Sequence, residues 1–313
     1  MAVSKASRTF TACAAWGTLV FACLAKGCAS EDTAMPHDSG VRDTNAPLPD
    51  GGGPEAEAAA PSISSSRGSG GIPCTSERKV DGRRVCVASA GGSEFRFVAP
   101  AEGAAPSSLV VYVHGDGARA YASDSALRVL APWAEAHHGL AVAVLSPNGC
   151  AWWQKASQTN CAEGAVPDPD STGQNADALK AVLDTFRQRY DIVTSRAYFY
   201  GASGGSIFLT SSFLRRFGNL YPGAYALNCG GTAPGLAFAW NADDPTMRAS
   251  TKLYFTYGDK DFLKSEIELA IPFFRSTGFR VDTQVIPNAE HCAFDAHGRA
   301  ASVFDAFVGE FGE

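Results

Sequence analysis

One segment near the middle of the chain restricts the fold most, because a buried strand, a glycine turn and a helix follow one another directly. Residues 196–200 are mainly apolar and aromatic, as in a strand that is covered on both faces. Residues 201–205 read G-A-S-G-G, and glycines allow a sharp bend because they have no Cβ. Residues 206–217 have a helical pattern that Gly218 ends. Such a unit is typical of a layered α/β structure and exposes the Ser203 hydroxyl at the end of the strand.

Continuous apolar runs in other parts of the chain predict further buried strands. These runs lack the alternation of polar and apolar residues that a half-exposed strand has, so they suit a parallel sheet that is covered on both faces. The runs lie at residues 109–113, 140–145, 224–227, 253–257 and 281–286.

Helical periodicity separates several of these runs. Apolar residues fall on one face of a helix within residues 176–190 and again within residues 300–311. Residues 83–88 and 94–98 predict two antiparallel strands ahead of the first run, with a pair of glycines in the turn between them. Strands that alternate with helices predict the α/β class, with a mainly parallel central sheet flanked by helices.

The first 28 residues have the layout of a secretory signal peptide. A basic start is followed by an uncharged run and then by small residues and cysteines. Residues 19–23 read L-V-F-A-C and resemble the lipobox of bacterial lipoproteins, which implies lipidation of Cys23. Cys28 also follows a glycine, but Lys26 departs from the lipobox pattern. An ordinary cleaved signal with incidental cysteines is the alternative interpretation.

Composition separates a linker from a single folded domain in the rest of the chain. Residues 29–72 are rich in Gly, Pro, Ser, Ala and Asp and have few large apolar residues, so we expect them to be disordered. Residues 73–313 are long enough for one sizeable core. The net charge is −6 and there is no basic block, which argues against nucleic-acid binding. We therefore expect an exported protein, periplasmic or at the cell surface, that contacts a membrane only through a lipid anchor.

Six cysteines lie in the predicted domain, and an even number in an exported chain favours three disulfides. Zinc is the competing explanation, but there is no C-x-x-C pair and no histidine at ligand spacing. Fifteen pairings of six cysteines are possible. The simplest choice joins the two sequence-local pairs and leaves the last two cysteines to each other, which gives Cys74–Cys86, Cys150–Cys161 and Cys229–Cys292.

Candidate partners for Ser203 follow it in the sequence, each after a predicted strand. Asp259 and Asp261 come after the strand at 253–257, and His291 comes after the next one. The carboxyl ends of parallel strands meet at one edge of a sheet, where active sites gather. A serine hydroxyl becomes a good nucleophile when a base accepts its proton and a carboxylate orients that base. His297 is a second candidate base, although a histidine just before a helix is more simply a capping or surface residue.

Two more motifs complete a set with the Ser203 turn. Residues 113–115 (V-H-G) follow a predicted core strand, and residues 258–261 (G-D-K-D) follow another. Over about residues 94–313 these motifs resemble the α/β-hydrolase superfamily, with its oxyanion loop, its G-x-S-x-G elbow and its G-x-x-D acid turn. The resemblance implies an α/β-hydrolase fold and a triad of Ser203, Asp261 and His291, with Asp261 favoured over Asp259.

The same resemblance implies an oxyanion hole and a structural histidine. The backbone N–H groups of Gly204 and Asp116 are the implied donors to the oxyanion, and His114 is implied to order the loop. The Asp116 carboxylate would oppose the negative charge that develops there unless it points away.

Within the superfamily the chain looks most like the secreted esterases grouped with polyhydroxybutyrate depolymerases and feruloyl or acetylxylan esterases. Ala202 departs from the cysteine that tannases and some feruloyl esterases carry before the serine, whereas Cys292 follows the histidine as theirs does. Trp152 and Trp153 lie in an irregular stretch, where they either flank the cleft and bind substrate or cover the core.

The sequence therefore predicts a secreted serine esterase that hydrolyses small or polymeric carboxylic esters through an acyl-enzyme. This chemistry needs no metal and no organic cofactor. A peptidase or acyltransferase on the same fold is one alternative, and a surface binding protein without catalysis is another.

Overall fold

The computed structural model describes residues 71–98, 106–159, 167–193, 197–234 and 245–311. The predicted signal segment with Cys23 and Cys28 lies outside these residues. Of the predicted linker, only residues 71 and 72 are described. The predictions of a signal, a lipid anchor and a disordered linker therefore stay predictions.

Within the described residues, nine strands form one sheet in the order β1-β2-β3-β5-β4-β6-β7-β8-β9. β2 pairs antiparallel with β1 on one side and with β3 on the other, and β3 is also antiparallel to β5. All pairs from β5 through β4 to β9 are parallel, which confirms the predicted mainly parallel sheet. The strands are β1 (Ser76–Val80), β2 (Arg83–Ala90), β3 (Ser93–Val98), β4 (Ser108–Val113), β5 (Gly139–Val144), β6 (Ala197–Ala202), β7 (Gly223–Asn228), β8 (Lys252–Gly258) and β9 (Arg280–Ile286).

The described helices pack against both faces of this sheet. Side chains alternate along β4, so that Val110 and Tyr112 contact one helical layer while Val111 and Val113 contact the other. α2 and α8 form the first layer, and α3, α5 and α7 belong to the second. The helices are α1 (Arg119–Ala122), α2 (Ser125–Ala136), α3 (Gln174–Arg189), α4 (Gly204–Phe208), α5 (Leu214–Phe217), α6 (Pro245–Ser250), α7 (Lys264–Ser276) and α8 (Ala296–Phe311).

Burial on both faces explains why the central strands have continuous apolar sequences. Every residue of β4, β7 and β8 is buried. Phe199 of β6 stacks on Tyr225 of β7 with ring centroids 4.7 Å apart and also packs against Phe213. Full burial of one such aromatic side chain stabilises the fold by about 2–3 kcal/mol. The edge strand β9 is mostly exposed, in keeping with its polar residues.

The helical stretch predicted at residues 206–217 is present but is not uniform. α4 and α5 are separated by a π-helical segment, Leu209–Phe213, and a 3₁₀ turn begins at Gly218. The Thr210 hydroxyl donates to the Ser206 carbonyl over 2.8 Å. This side chain of the π-helical segment therefore competes with the helix N–H groups for a backbone acceptor of α4. Such π segments are rare in helices and are frequent beside functional sites.

Two of the three predicted disulfides are present. Cys74 is bonded to Cys86, and Cys229 is bonded to Cys292, which confirms both pairings. Cys161 lies outside the described residues, so the Cys150–Cys161 pair stays a prediction. Stable disulfides form in oxidising compartments, so these bonds suggest an extracellular or periplasmic protein. None of the helices in the described ranges is long and apolar enough to cross a bilayer.

Candidate active site

Ser203 occupies a strained turn between β6 and α4. Its φ of 49° and ψ of −118° lie outside the regions that non-glycine residues usually adopt. The neighbouring glycines make this turn possible, because a Cβ on Gly205 would lie 2.2 Å from the Val113 carbonyl oxygen, and one on Gly201 would lie 2.8 Å from the Ser206 nitrogen. The turn lifts the Ser203 side chain above the carboxyl edge of the sheet.

His291 contacts Ser203 from the loop after β9. The distance between the Ser203 Oγ and the His291 Nε2 is 2.9 Å. Two features of β7 hold the pair together, since the Asn228 carbonyl accepts the Ser203 N–H over 2.9 Å and Cys229 is bonded to Cys292. The base and the hydroxyl are thus tied to the end of one strand.

Asp261 is the acid that contacts His291. Its Oδ1 accepts the His291 Nδ1–H over 2.8 Å and the Leu263 N–H over 2.9 Å, and its side chain is fully buried. A proton held on Nδ1 leaves the lone pair of Nε2 facing the Ser203 hydroxyl, which is the tautomer that a general base needs. Asp259, the alternative acid, has no hydrogen bond to His291 in the described structure.

His297, the alternative base, is occupied elsewhere. Its Nδ1 lies 2.9 Å from the Tyr200 hydroxyl and its Nε2 lies 3.0 Å from the Ser125 Oγ. Burial lowers the pKa of His297, and the nearby Asp295 opposes that shift. His297 therefore links β6, α2 and the start of α8 as a partly buried residue, which differs from the capping or surface role expected from its sequence position.

His114 is buried beneath the loop that follows β4. Its Nδ1–H donates to the Gly115 carbonyl over 2.7 Å, and its Nε2 accepts the Ser146 N–H over 3.0 Å. Burial lowers the pKa of His114 to about 4, and the hydrogen bond to Gly115 only partly offsets this effect. A neutral imidazole with both nitrogens occupied fixes the path of the loop.

The buried neutral state of His114 predicts a loss of stability in mild acid. Unfolding exposes the imidazole and restores its usual pKa near 6.5, so the unfolded chain binds more protons between about pH 6.5 and 4. The contribution of neutral His114 to the free energy of unfolding is complete above that window. It falls by on the order of 3 kcal/mol as the pH decreases through the window. Urea unfolding at several pH values should therefore show that the free energy of unfolding depends less on pH in His114→Gln than in wild type. The exposed His138→Asn serves as control, and equal slopes for wild type and His114→Gln would contradict the prediction.

Two backbone N–H groups lie beside Ser203, one on the loop after β4 and one at the start of α4. A Cβ on Gly115 would lie 3.2 Å from the Ser203 Cβ, so this loop passes directly beside the nucleophile candidate. In the described part of the chain the N–H groups of Asp116 and Gly204 donate no hydrogen bond. Free donors on both sides of a serine hydroxyl are what an oxyanion requires.

The two adjacent tryptophans have different environments, and the substrate-binding prediction for Trp152 is wrong. Trp152 is fully buried and stacks on Phe208 with ring centroids 4.8 Å apart, so it covers the core and cannot contact substrate. Trp153 is half-buried, and its indole N–H donates to both carboxylate oxygens of Asp116 at 3.1 and 3.0 Å.

Phe262 is an aromatic residue at the site that the sequence patterns did not predict. It is 73% exposed, and its ring centroid lies 4.3 Å from that of His291. The available signal was its position directly after Asp261, since a large apolar side chain in an acid turn has no core to fill.

The Cys229–Cys292 disulfide predicts a specific effect on activity. It fixes the His291 loop relative to Ser203, and small displacements of a catalytic base are costly to the rate. The double variant Cys229→Ser/Cys292→Ser should therefore lose about 10- to 100-fold in kcat/KM for an ester substrate. The matched control is Cys74→Ser/Cys86→Ser, which should lose stability of about 2–4 kcal/mol without a comparable loss of rate. Equal rates for both double variants well below their melting temperatures would contradict a positioning role.

Comparison with known proteins shows the fold and no closer relationship. No protein-family model matches this sequence, and no curated protein matches it at a significant level. An S-formylglutathione hydrolase from Agrobacterium tumefaciens is similar in structure, with 13% identity, a TM-score of 0.50 and coverage of 77% of this chain and 100% of that chain. An esterase/lipase from an uncultured bacterium has 11% identity, a TM-score of 0.50 and coverage of 74% and 86%.

A thermostable esterase is also similar, with 18% identity, a TM-score of 0.46 and coverage of 74% of this chain. This chain spans 59% of that esterase's length. The sheet order, the flanking helices and the similarity to the S-formylglutathione hydrolase and the esterase/lipase show that the chain has the α/β-hydrolase fold.

Proposed function

We propose that this protein is a serine hydrolase that cleaves carboxylic esters. The observation that carries the proposal is the continuous hydrogen-bonded series from Ser203 through His291 to the buried Asp261. The series lies beside unoccupied backbone donors at the carboxyl edge of a parallel sheet, where open α/β folds bind their ligands.

Acylation begins when the Ser203 Oγ attacks the carbonyl carbon of the ester. His291 accepts the hydroxyl proton at Nε2, and Asp261 stabilises the imidazolium through Nδ1. The N–H groups of Gly204 and Asp116 donate to the tetrahedral oxyanion, and each such donor contributes about 100-fold or more to the rate. The intermediate collapses when His291 returns the proton to the leaving alcohol, which leaves the acyl group on Ser203.

Deacylation repeats the same steps with water as the nucleophile. His291 accepts a proton from the water that attacks the acyl-enzyme, and the second intermediate collapses with the proton returned to Ser203. One ester and one water thus give one acid and one alcohol, and the residues return to their starting protonation states. The names of the structural relatives, an S-formylglutathione hydrolase and esterases, support ester cleavage as the reaction class.

The proposal extends to the location of the enzyme and its type. The lipobox-like sequence ending at Cys23 supports an exported, lipid-anchored enzyme, and the two disulfides agree with an oxidising compartment. The motifs shared with polyhydroxybutyrate depolymerases and feruloyl esterases support an esterase of that type.

A substrate panel tests the proposed reaction. The purified protein should hydrolyse p-nitrophenyl acetate, and acetyl, butyryl, feruloyl and polyester substrates then rank its acyl preference. No turnover of any ester, or turnover of peptide anilides alone, would contradict the proposal.

A further inference from the structure

The carboxylate of Asp116 faces the candidate site and does not point away from it. A Cβ on Gly204 would lie 2.0 Å from the Asp116 Oδ1, so this oxygen lies against the residue that follows Ser203. The same Cβ would lie 3.3 Å from the Trp153 indole ring. A negative charge therefore lies within a few ångströms of the proposed oxyanion donors.

The Asp116 side chain has few polar contacts in the part of the chain that the structure describes. Across residues 71–98, 106–159, 167–193, 197–234 and 245–311 it forms no ion pair, and its hydrogen-bond donor is the single indole N–H of Trp153. An ionised carboxylate offers about four acceptor positions, and Asp116 is an exposed residue, so acceptor positions remain for a ligand.

The local electrostatics oppose a neutral substrate. Partial loss of hydration raises the pKa of the Asp116 carboxyl, while the hydrogen bond from Trp153 and the electrostatic interaction with His291 lower it. When a neutral ester reacts, the oxyanion adds a second negative charge beside this carboxylate. A positive charge brought by the substrate removes the conflict, because it pairs with Asp116 and offsets the oxyanion.

Two aromatic rings that border the candidate triad suit a cation as well. Trp153 is held to the Asp116 carboxylate, and the exposed Phe262 ring lies beside His291. The faces of tryptophan and phenylalanine attract ammonium groups, including quaternary ones, that lie over the ring.

We propose that the ester cleaved by this protein carries an ammonium group near the scissile bond, and that Asp116 binds it together with Trp153 and Phe262. This inference rests on the proposed esterase function and makes Asp116 a residue that determines specificity.

Matched pairs of esters that differ only in charge test the inference. Acetylthiocholine and 3,3-dimethylbutyl thioacetate have the same shape and place the charge, or its neutral equivalent, on the leaving group. The p-nitrophenyl esters of betaine and 3,3-dimethylbutanoate do the same on the acyl side. For each pair the measured quantity is the ratio of kcat/KM for the cationic ester to that for the neutral ester, in wild type and in Asp116→Asn.

The expected result is a ratio at least about tenfold higher in wild type than in Asp116→Asn for one of the two pairs. The pair that responds identifies whether the ammonium group belongs to the alcohol or to the acyl part. Asparagine keeps the shape of the side chain and an acceptor for Trp153, and the ratio of two esters measured in the same variant cancels any change in rate that is common to both. Glu290→Gln removes another exposed charge, next to His291 in the chain, and should leave both ratios as in wild type.

Two outcomes overturn the inference and are distinguishable from each other. Hydrolysis of the neutral esters with the same charge ratio in wild type and Asp116→Asn contradicts the role of Asp116 but leaves the esterase function standing. Failure of wild type to hydrolyse any member of either pair contradicts the esterase function and the inference together.

Discussion

Ser203→Ala should lower kcat/KM for p-nitrophenyl acetate by about 10⁴- to 10⁶-fold. Alanine has no Oγ, so the acyl-enzyme cannot form and only the binding and oxyanion contributions remain. The fold should be unaffected, since the Ser203 side chain lies at the surface of the cleft and its bonding partner there is His291. Steady-state kinetics with far-ultraviolet circular dichroism measures both properties.

Ser206→Ala is the matched control for this variant. Ser206 lies one helical turn further along, where its buried hydroxyl donates to the Asn228 carbonyl over 3.0 Å. Its removal should cost about 1 kcal/mol of stability and leave kcat/KM within a few-fold of wild type. Comparable rates for Ser203→Ala and Ser206→Ala would contradict the assignment of the nucleophile.

Asp261→Asn should lower kcat by about 10⁴-fold. The amide can donate to the imidazole through its NH₂ group, which favours the tautomer with the proton on Nε2 and leaves no lone pair facing Ser203. The side chain keeps its size, but the NH₂ group that faces His291 replaces the oxygen that also accepts the Leu263 N–H, so a stability loss of about 1–3 kcal/mol should accompany the loss of rate.

Asp259→Asn removes the neighbouring acid that the sequence offered as an alternative. This variant should retain kcat within a few-fold of wild type, because Asp259 makes no hydrogen bond to His291 in the described structure. A large loss in Asp259→Asn together with a small one in Asp261→Asn would reverse the assignment of the acid.

Much of the sheet could be predicted because its strands are covered on both faces. Burial requires apolar side chains at every position of β4 and β8, and such runs are visible without any knowledge of the fold. β1 escaped prediction because it is a mostly exposed edge strand, Ser76–Val80, with charged residues at three of its five positions. α2 and α7 each contain an internal proline, Pro132 and Pro272, which weakens the helical signal.

The contacts among Ser203, Asp261 and His291 could be anticipated because each follows its own parallel strand. The carboxyl ends of parallel strands lie at one edge of the sheet, so the three residues meet there irrespective of the sequence between them. The Cys229–Cys292 pair was predicted by leaving the last two cysteines to each other, and the structure shows that both follow strands that end at the same edge.

The orientations of loop side chains could not be predicted. Trp152 and Trp153 are adjacent and lie in an irregular segment, so no periodicity tells which one is buried. Tertiary contacts determine which tryptophan is buried. The Asn175 amide donates to the Trp152 carbonyl over 2.7 Å, and the Asn148 side chain accepts the two backbone N–H groups that directly precede Trp152. The direction of the Asp116 carboxylate likewise depends on where Trp153 places its indole N–H.

Labelling with a fluorophosphonate tests most directly the claim that His291 and Asp261 activate Ser203 as the nucleophile. The reagent phosphonylates activated serines, and tandem mass spectrometry of the tryptic peptide spanning residues 197–215 identifies the modified position. The account predicts one adduct per protein, on Ser203, with loss of esterase activity in proportion and no adduct in Ser203→Ala. An adduct on Ser206 or on another serine, or full activity with Ser203 modified, would contradict it.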